Sequence, residues 1–172
     1  CCRLPGTDGK AKMSKSLGNC IYLSDTSKEI KKKVNSMFTD PEHLQITDPG
    51  HVEGNVVFTY LDAFSNDEHF AKYLPEYANL DEMKDHYRRG GLGDGTCKKF
   101  LFNIMEEFLQ PMRERRKQYE QNMPQVYEIL RKGSEAARAE AAKTLADVRK
   151  AMKIDYFDDA DLIAEHTKKY QG

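Results

Sequence analysis

Residues 101–112 read LFNIMEEFLQPM, and their spacing decides the fold class of the chain. Apolar side chains recur at positions i, i+4, i+7 and i+11, which places them on one face of an α-helix: Leu101, Met105, Phe108 and Met112. Pro111 removes one backbone hydrogen bond but the apolar and charged pattern continues beyond it. We therefore predict a long helix that is kinked at this proline rather than ended by it.

Helical patterns also precede this segment. Thr26 and Glu29 have the spacing of a capping box, and an apolar stripe follows them up to Asp40-Pro41, where the helix is predicted to end. Residues 55–64 are ambiguous, because β-branched and aromatic residues favour a strand while the apolar spacing fits one helix face. Farther on, Ser65 and Glu68 form a second predicted capping box. Asn79 is the predicted cap of a helix that ends at residues 88–91.

The helical character continues to the end of the chain. Asn122 is a predicted N-cap with Pro124 in the first turn. Residues 125–152 are rich in strong helix formers, although Gly133 allows a break. No alternation of strands and helices is visible, so the predicted fold class is all-α, an antiparallel helical bundle.

Composition bounds the class of protein. The chain has 172 residues, 32% of them charged, and a net charge of −1, which is ordinary for a soluble helical domain. No apolar run approaches the length of a membrane span, so no membrane is expected. The four cysteines form no CxxC pair, so we expect reduced cytosolic thiols and no bound metal: Cys1, Cys2, Cys20 and Cys97.

A loop of different character lies near the start of the chain. It contains the pentapeptide Lys12-Met13-Ser14-Lys15-Ser16. Two lysines three residues apart, with small hydroxyl residues between and after them, suit a mobile loop that grips a polyphosphate. Gly6, Gly9 and Gly18 are expected to let this loop open and close, and a simple turn is the alternative for Gly18-Asn19.

This pentapeptide matches the KMSKS signature of class I aminoacyl-tRNA synthetases. The longer string at residues 4–19 resembles the bacterial type of tryptophanyl-tRNA synthetase, and the resemblance covers roughly residues 4–157. Shorter strings that carry it are found at residues 31–34, 37–41, 52–58, 86–91 and 111–116. The last residues of the chain depart from the family pattern, so the role of residues 158–172 is open.

The resemblance implies a role for each residue of the pentapeptide. Lys12 and Lys15 are the expected catalytic lysines, which stabilise charge on the departing pyrophosphate of ATP. Met13, Ser14 and Ser16 complete the expected ATP-binding residues, with the amides of residues 13 and 14 seating the triphosphate. ATP with Mg²⁺ is then a substrate, and L-tryptophan binds a Rossmann part that this chain lacks. We therefore expect no bound cofactor and no activity from these 172 residues alone.

The same resemblance implies a domain layout and partners. Residues 1–23 are expected to end the catalytic Rossmann domain, residues 24–157 to form a helical domain that binds the anticodon of tRNA(Trp), and residues 158–172 to form a tail. A cytoplasmic homodimer is expected for the parent enzyme. Two basic clusters are candidates for RNA contact: Arg113, Arg115, Arg116 and Lys117, with Lys31, Lys32 and Lys33 in reserve. The alternative interpretation is a solvated helix face for the three lysines and ion pairing within the helix for the cluster at residues 113–117.

Two other functions stay open from the sequence. The first is a tyrosyl-tRNA synthetase, the family most similar to the tryptophanyl one, although its corresponding loop usually departs from a full KMSKS. A non-catalytic helical domain for RNA or protein interaction, which retains the loop as a relic, is the second alternative.

Overall fold

The computed structural model describes residues 3–171, and within them the regular elements are seven helices. Cys1 and Cys2, two of the expected thiols, lie outside the described residues. The predicted all-α class is confirmed, since the described residues hold no strand and only one isolated β-bridge, between Pro5 and Lys12. In chain order the helices are α1 (Ser27–Asn35), α2 (Val56–Phe64), α3 (Asp67–Tyr73), α4 (Leu80–Arg89), α5 (Asp94–Glu120), α6 (Met123–Ala151) and α7 (Ala160–Tyr170).

The chain divides into two compact units. The first runs through Lys117 and the second begins at Gln118, so the boundary falls near the end of α5. The sequence did not predict this boundary. The layout expected there, with boundaries after residues 23 and 157, stays a prediction.

The first unit has a continuous apolar core. Helix α2 lies at its centre: five of its nine residues are buried, on more than one face, and Asn55 caps it by accepting a hydrogen bond from Val57 N at 3.1 Å. A helix buried on several sides does not show a clean period of 3.6, which explains the ambiguity of residues 55–64. Of the two alternatives that the sequence left open, the helix is the observed structure.

Most predicted caps are confirmed. Thr26 and Glu29 form a capping box, and Asn79 and Asn122 accept hydrogen bonds from the first turns of α4 and α6. The box predicted at Ser65 and Glu68 is wrong. Ser65 instead ends α2, donating its N–H to Leu61 O at 2.8 Å. The cap of α3 is the next residue, Asn66, paired with His69.

Helix α1 ends earlier than predicted. Its last residue is Asn35, and Met37 lies buried in the segment that follows. The reason is tertiary, because Phe38 N donates to Thr7 O at 2.9 Å and so draws the chain out of the helix. Pro111, by contrast, lies inside a continuous α5, and Gly133 does not break α6.

The aromatic residues Tyr60 and Phe100 are buried in the core. Phe108, which the sequence places on the apolar face of the long helix, is 46% exposed, although its ring lies 5.4 Å from that of Phe64. The core also holds Cys20 and Cys97 as free thiols. Burial raises the pKa of Cys97 to about 12, so this thiol stays protonated.

The helices of the second unit bury little of their surface. No residue of α6 or α7 in the described part of the chain is buried. Arg131 pairs with Glu128 at 2.8 Å and with Glu135 at 2.6 Å on the surface of α6. Across residues 3–171, no helix is long and apolar enough to cross a membrane, and no group of acidic, histidine and cysteine side chains has the arrangement of a metal site.

An ion pair between Asp40 and His51 lies in the segment that connects α1 to α2. The buried Asp40 carboxylate accepts hydrogen bonds from Glu42 N at 2.9 Å, His51 N at 2.7 Å and His51 Nδ1 at 2.8 Å. Burial opposes ionisation of Asp40, but these bonds outweigh it and hold the pKa below its ordinary value. The hydrogen bond to Asp40, with the carboxylate's charge, raises the pKa of His51.

This contact predicts a pH-dependent stability. The raised pKa of His51 stabilises the fold fully below the unfolded value of 6.5, and that contribution is lost as pH rises through the folded pKa. The lowered pKa of Asp40 stabilises above 3.8 and is lost as pH falls. We expect His51→Gln to lower Tm more at pH 5.5 than at pH 8.5, measured by thermal unfolding. An equal loss of Tm at both pH values would contradict the contact.

Candidate functional site

The KMSKS loop is anchored at its base. Pro5 bridges to Lys12, and Gly6 N donates to Ala11 O at 2.7 Å. The intervening turn places Gly9 at φ 69°, where a side chain is strained. Residues 5–12 therefore form a tight hairpin-like turn that presents Lys12 at its end.

The Asn19 side chain joins the two arms of this loop by hydrogen bonds. Its Oδ1 accepts from Ser14 N at 2.7 Å, while its Nδ2 donates to Asp8 Oδ1 at 3.1 Å and to Lys12 O at 3.3 Å. Its own backbone carbonyl accepts from Thr7 N at 3.0 Å. The side chain is buried, and a Cβ on Gly6 would lie only 2.2 Å from Nδ2. A glycine at position 6 leaves the room that this side chain occupies.

The helical region supports the loop from the other side. The buried Tyr60 of α2 donates its hydroxyl to Pro5 O at 2.8 Å, and Met13 Sδ lies 3.6 Å from the same hydroxyl. Burial raises the pKa of Tyr60 to about 12, so the hydroxyl remains a neutral donor. Gly9 approaches Phe38 and Val56 so closely that a Cβ would lie 3.0–3.1 Å from them.

The predicted ATP-binding residues divide into two groups. Lys12, Lys15 and Ser16 are exposed, whereas Met13 is half-buried against Tyr60. Ser14 and Ser16 share a hydrogen bond between their hydroxyls at 2.9 Å. The Ser14 amide donates to Asn19 Oδ1 at 2.7 Å, so this contact does not favour the expected seating of a triphosphate on that amide.

The tip of the loop is its least supported part. Residues 15–18 are all exposed, and a turn closes them, with Gly18 N donating to Lys15 O at 3.2 Å. Gly18 has φ 66°, and a Cβ added to it would meet no atom within 4 Å. We therefore expect the motion predicted for the whole loop to be concentrated in residues 15–18.

Asp8 contributes a negative charge at the base of the loop. The hydrogen bond from Asn19 lowers the pKa of this carboxyl, assisted by backbone N–H groups such as that of Lys10. Asp8 is consequently ionised at neutral pH and keeps the Asn19 amide oriented. Neither Asp8 nor Asn19 was singled out from the sequence. The only local signal was their position at the two ends of the loop.

In both predicted RNA clusters, the structure shows one half-buried member beside exposed ones. Lys33 pairs with the buried Asp25 and lies 4.4 Å from the centre of the Tyr22 ring. Lys31 lies 5.9 Å from the Phe102 ring, and Lys32 is exposed. These contacts give Lys33 a structural role that its place in a run of three lysines did not indicate.

The cluster on α5 divides in the same way. Arg113 is half-buried, pairs with Glu106, and donates from Nη1 to the backbone carbonyl of Asp25 at 3.3 Å. Arg115, Arg116 and Lys117 are exposed along the last turns of α5. Arg113 and Glu106 both belong to α5, so this pair is of the kind that the alternative interpretation expected for this cluster.

Comparison with known proteins decides the family. The family described as tRNA synthetases class I (W and Y) matches residues 3–110, more than half of the chain. The chain belongs to the class I tRNA synthetases of the W and Y group. The region matched includes the whole KMSKS loop and the helices that support it.

Individual relatives point to the tryptophan branch, as the sequence predicted. A tryptophan–tRNA ligase of Clostridium longisporum is 56% identical over 157 residues, which are 91% of this chain and 43% of that protein. One from Streptococcus pyogenes serotype M3 is 54% identical over 155 residues, 90% of this chain and 44% of that protein. The chain thus spans less than half the length of these relatives.

Solved structures agree with this placement. The tryptophanyl-tRNA synthetase of Campylobacter jejuni, solved as a complex with ADP and tryptophan, superimposes with a TM-score of 0.68 at 26% identity. The superposition covers 88% of this chain and 43% of that one. The synthetase of Giardia lamblia gives a TM-score of 0.55 at 30% identity, over 66% of this chain and 28% of its own.

Proposed function

We propose that this chain is the part of a tryptophan–tRNA ligase that supplies the ATP-gripping loop and tRNA-binding helices. The single observation that carries the proposal is an intact KMSKS loop whose two lysines are exposed and whose base is joined by the bridge between Pro5 and Lys12. The high identity to tryptophan–tRNA ligases over nine-tenths of the chain supports tryptophan as the amino acid. The tyrosyl alternative and a non-catalytic domain have no comparable support.

The proposed chemistry is activation of tryptophan. The carboxylate of the amino acid attacks the α-phosphorus of ATP, the bond to the bridging oxygen breaks, and pyrophosphate leaves with its charge increased. Lys12 and Lys15 stabilise that growing charge. Because more negative charge lies on the leaving pyrophosphate in the transition state than in bound ATP, this stabilisation lowers the barrier. Mg²⁺ accompanies ATP as part of the substrate. The amino acid itself binds the part of the enzyme beyond this chain.

The complete synthetase provides the test of this function. We expect it to charge tRNA with tryptophan and to show pyrophosphate exchange that depends on tryptophan. Exchange that depends on tyrosine instead would assign the tyrosyl branch. Absence of exchange with either amino acid would favour a helical interaction domain. We also propose that the complete enzyme is a homodimer in the cytoplasm, as the family resemblance implies. Sedimentation of the complete enzyme measures its oligomeric state.

The exposed end of α5 is the proposed tRNA contact. Arg115, Arg116 and Lys117 lie on successive positions of one helix end, where a cluster of cations attracts phosphate. Arg113 is proposed to support this surface rather than to bind RNA directly, because its guanidinium is directed to Glu106 and Asp25.

Charge reversal tests this surface. We expect Arg115→Glu with Lys117→Glu to weaken binding of tRNA(Trp) and to flatten the salt dependence of log Kd, by roughly 0.7 for each single-strand phosphate that is no longer neutralised. Filter binding or fluorescence anisotropy between 50 and 200 mM salt, roughly the range over which phosphate binding weakens strongly, measures both. The matched pair Lys31→Glu with Lys32→Glu tests the reserve cluster. If only the latter pair changes the slope, the RNA surface lies on α1.

A further inference from the structure

The buried side chain of Asn19 is the strongest unassigned feature next to the proposed site. It lies outside the pentapeptide, yet it binds the backbone on both sides of Met13, through Lys12 O and Ser14 N. It also binds Asp8 on the opposite arm of the loop. Three hydrogen bonds from one amide thus connect two arms that are eleven residues apart in sequence.

The geometry points to Asn19 as a positioning residue for adenylate formation, an inference that rests on the proposed function. Its amide fixes the peptide groups that flank Met13, and so fixes the direction in which the Lys12 side chain leaves the loop. A charged group that stabilises a transition state loses much of its effect when it is misplaced by about 1 Å. Asn19 touches no reacting atom and acts only through Lys12 and Ser14.

Only an amide satisfies this site. The Ser14 N–H needs an acceptor, whereas the Lys12 carbonyl and the Asp8 carboxylate need a donor. An aspartate at position 19 keeps the acceptor but places a second carboxylate at hydrogen-bond distance from Asp8. Two such carboxylates resist ionising together and share a proton.

The experiment combines one truncation with a charge swap in the complete synthetase. We expect Asn19→Ala to slow tryptophan-dependent pyrophosphate exchange by about 10- to 100-fold, with the KM for tryptophan within about twofold of wild type. Asn19→Asp should be slow at pH 8 and recover as pH falls toward 6. The double variant Asp8→Asn with Asn19→Asp should be faster than Asn19→Asp alone at pH 8, because it restores one donor and one carboxylate.

Hydrogen exchange of the full 172-residue chain gives a readout that does not depend on activity. We expect Asn19→Ala to speed exchange in the peptide spanning residues 8–19 without changing the peptides of α2. Unchanged exchange in that peptide, or no recovery of Asn19→Asp by low pH or by the swap, overturns the inference. Failure of the proposed function looks different: wild type then shows no tryptophan-dependent exchange, while the hydrogen-exchange result still decides whether Asn19 fixes the loop.

Discussion

Lys15→Ala in the complete synthetase is expected to slow adenylate formation by roughly 30- to 1,000-fold, the equivalent of about 2–4 kcal/mol in the transition state. The Lys15 side chain is exposed at the unsupported tip of the loop, so its removal leaves no cavity and breaks no packing. The charge that it meets grows only as pyrophosphate departs. The loss should therefore appear in kcat and leave the KM for tryptophan nearly unchanged.

Single-turnover adenylate formation and tryptophan titration measure this effect together. Lys10→Ala is the matched control, because Lys10 is another exposed lysine of the same loop but lies outside the pentapeptide. We expect the control to stay within about threefold of wild type, the range of a remote surface charge. An unchanged rate for Lys15→Ala, accompanied by a higher KM for tryptophan, would count against the catalytic assignment.

Phe58→Ala is expected to cost about 3–5 kcal/mol of unfolding free energy, the usual range for a buried phenylalanine. Phe58 is 1% exposed, and its ring lies 4.9 Å from that of Tyr87. Tyr87 is in turn held by its hydroxyl, which donates to Asp94 Oδ1 at 2.7 Å. Because Tyr87 is fixed at both ring and hydroxyl, the surrounding core cannot easily collapse into the space left behind.

Urea unfolding of the 172-residue chain, followed by circular dichroism, measures this loss. Phe108→Ala is the matched control, since Phe108 is also a helical aromatic but is 46% exposed. We expect the control to cost about 1 kcal/mol, in proportion to the smaller apolar area that it buries. Equal losses for the two variants would mean that Phe58 does not lie in the core described above.

The helix caps show which predictions were secure and which were not. Thr26, Asn79 and Asn122 were predicted correctly because a cap acts on backbone groups two or three residues away. Ser65 failed because two adjacent polar residues both offered a cap, and the end of the preceding helix took the first of them. Local signals therefore identified the helices but not the choice between neighbouring residues.

In the candidate site, too, local features could be predicted from the sequence and contacts with distant residues could not. The structure places Lys12 and Lys15 as exposed cations of a loop, as the residue types and spacing of the pentapeptide indicated, and their catalytic role stays a prediction. The roles of Asn19 and Tyr60 could not be predicted, since each depends on a partner across the loop or on another element. Binding of ATP by the KMSKS loop and of tRNA by the basic end of α5 stays a prediction.

By itself the sequence determined the all-α class, most helix starts, and the family to which the chain belongs. Each of these rests on spacing within a few residues or on a contiguous motif. Only the tertiary structure decided that Arg113 turns inward, because its partner carbonyl on Asp25 is 88 residues distant in the chain. It likewise decided where α1 ends, through the bond between Phe38 and Thr7. Contacts of this kind depend on the folded path of the chain, which no local pattern encodes.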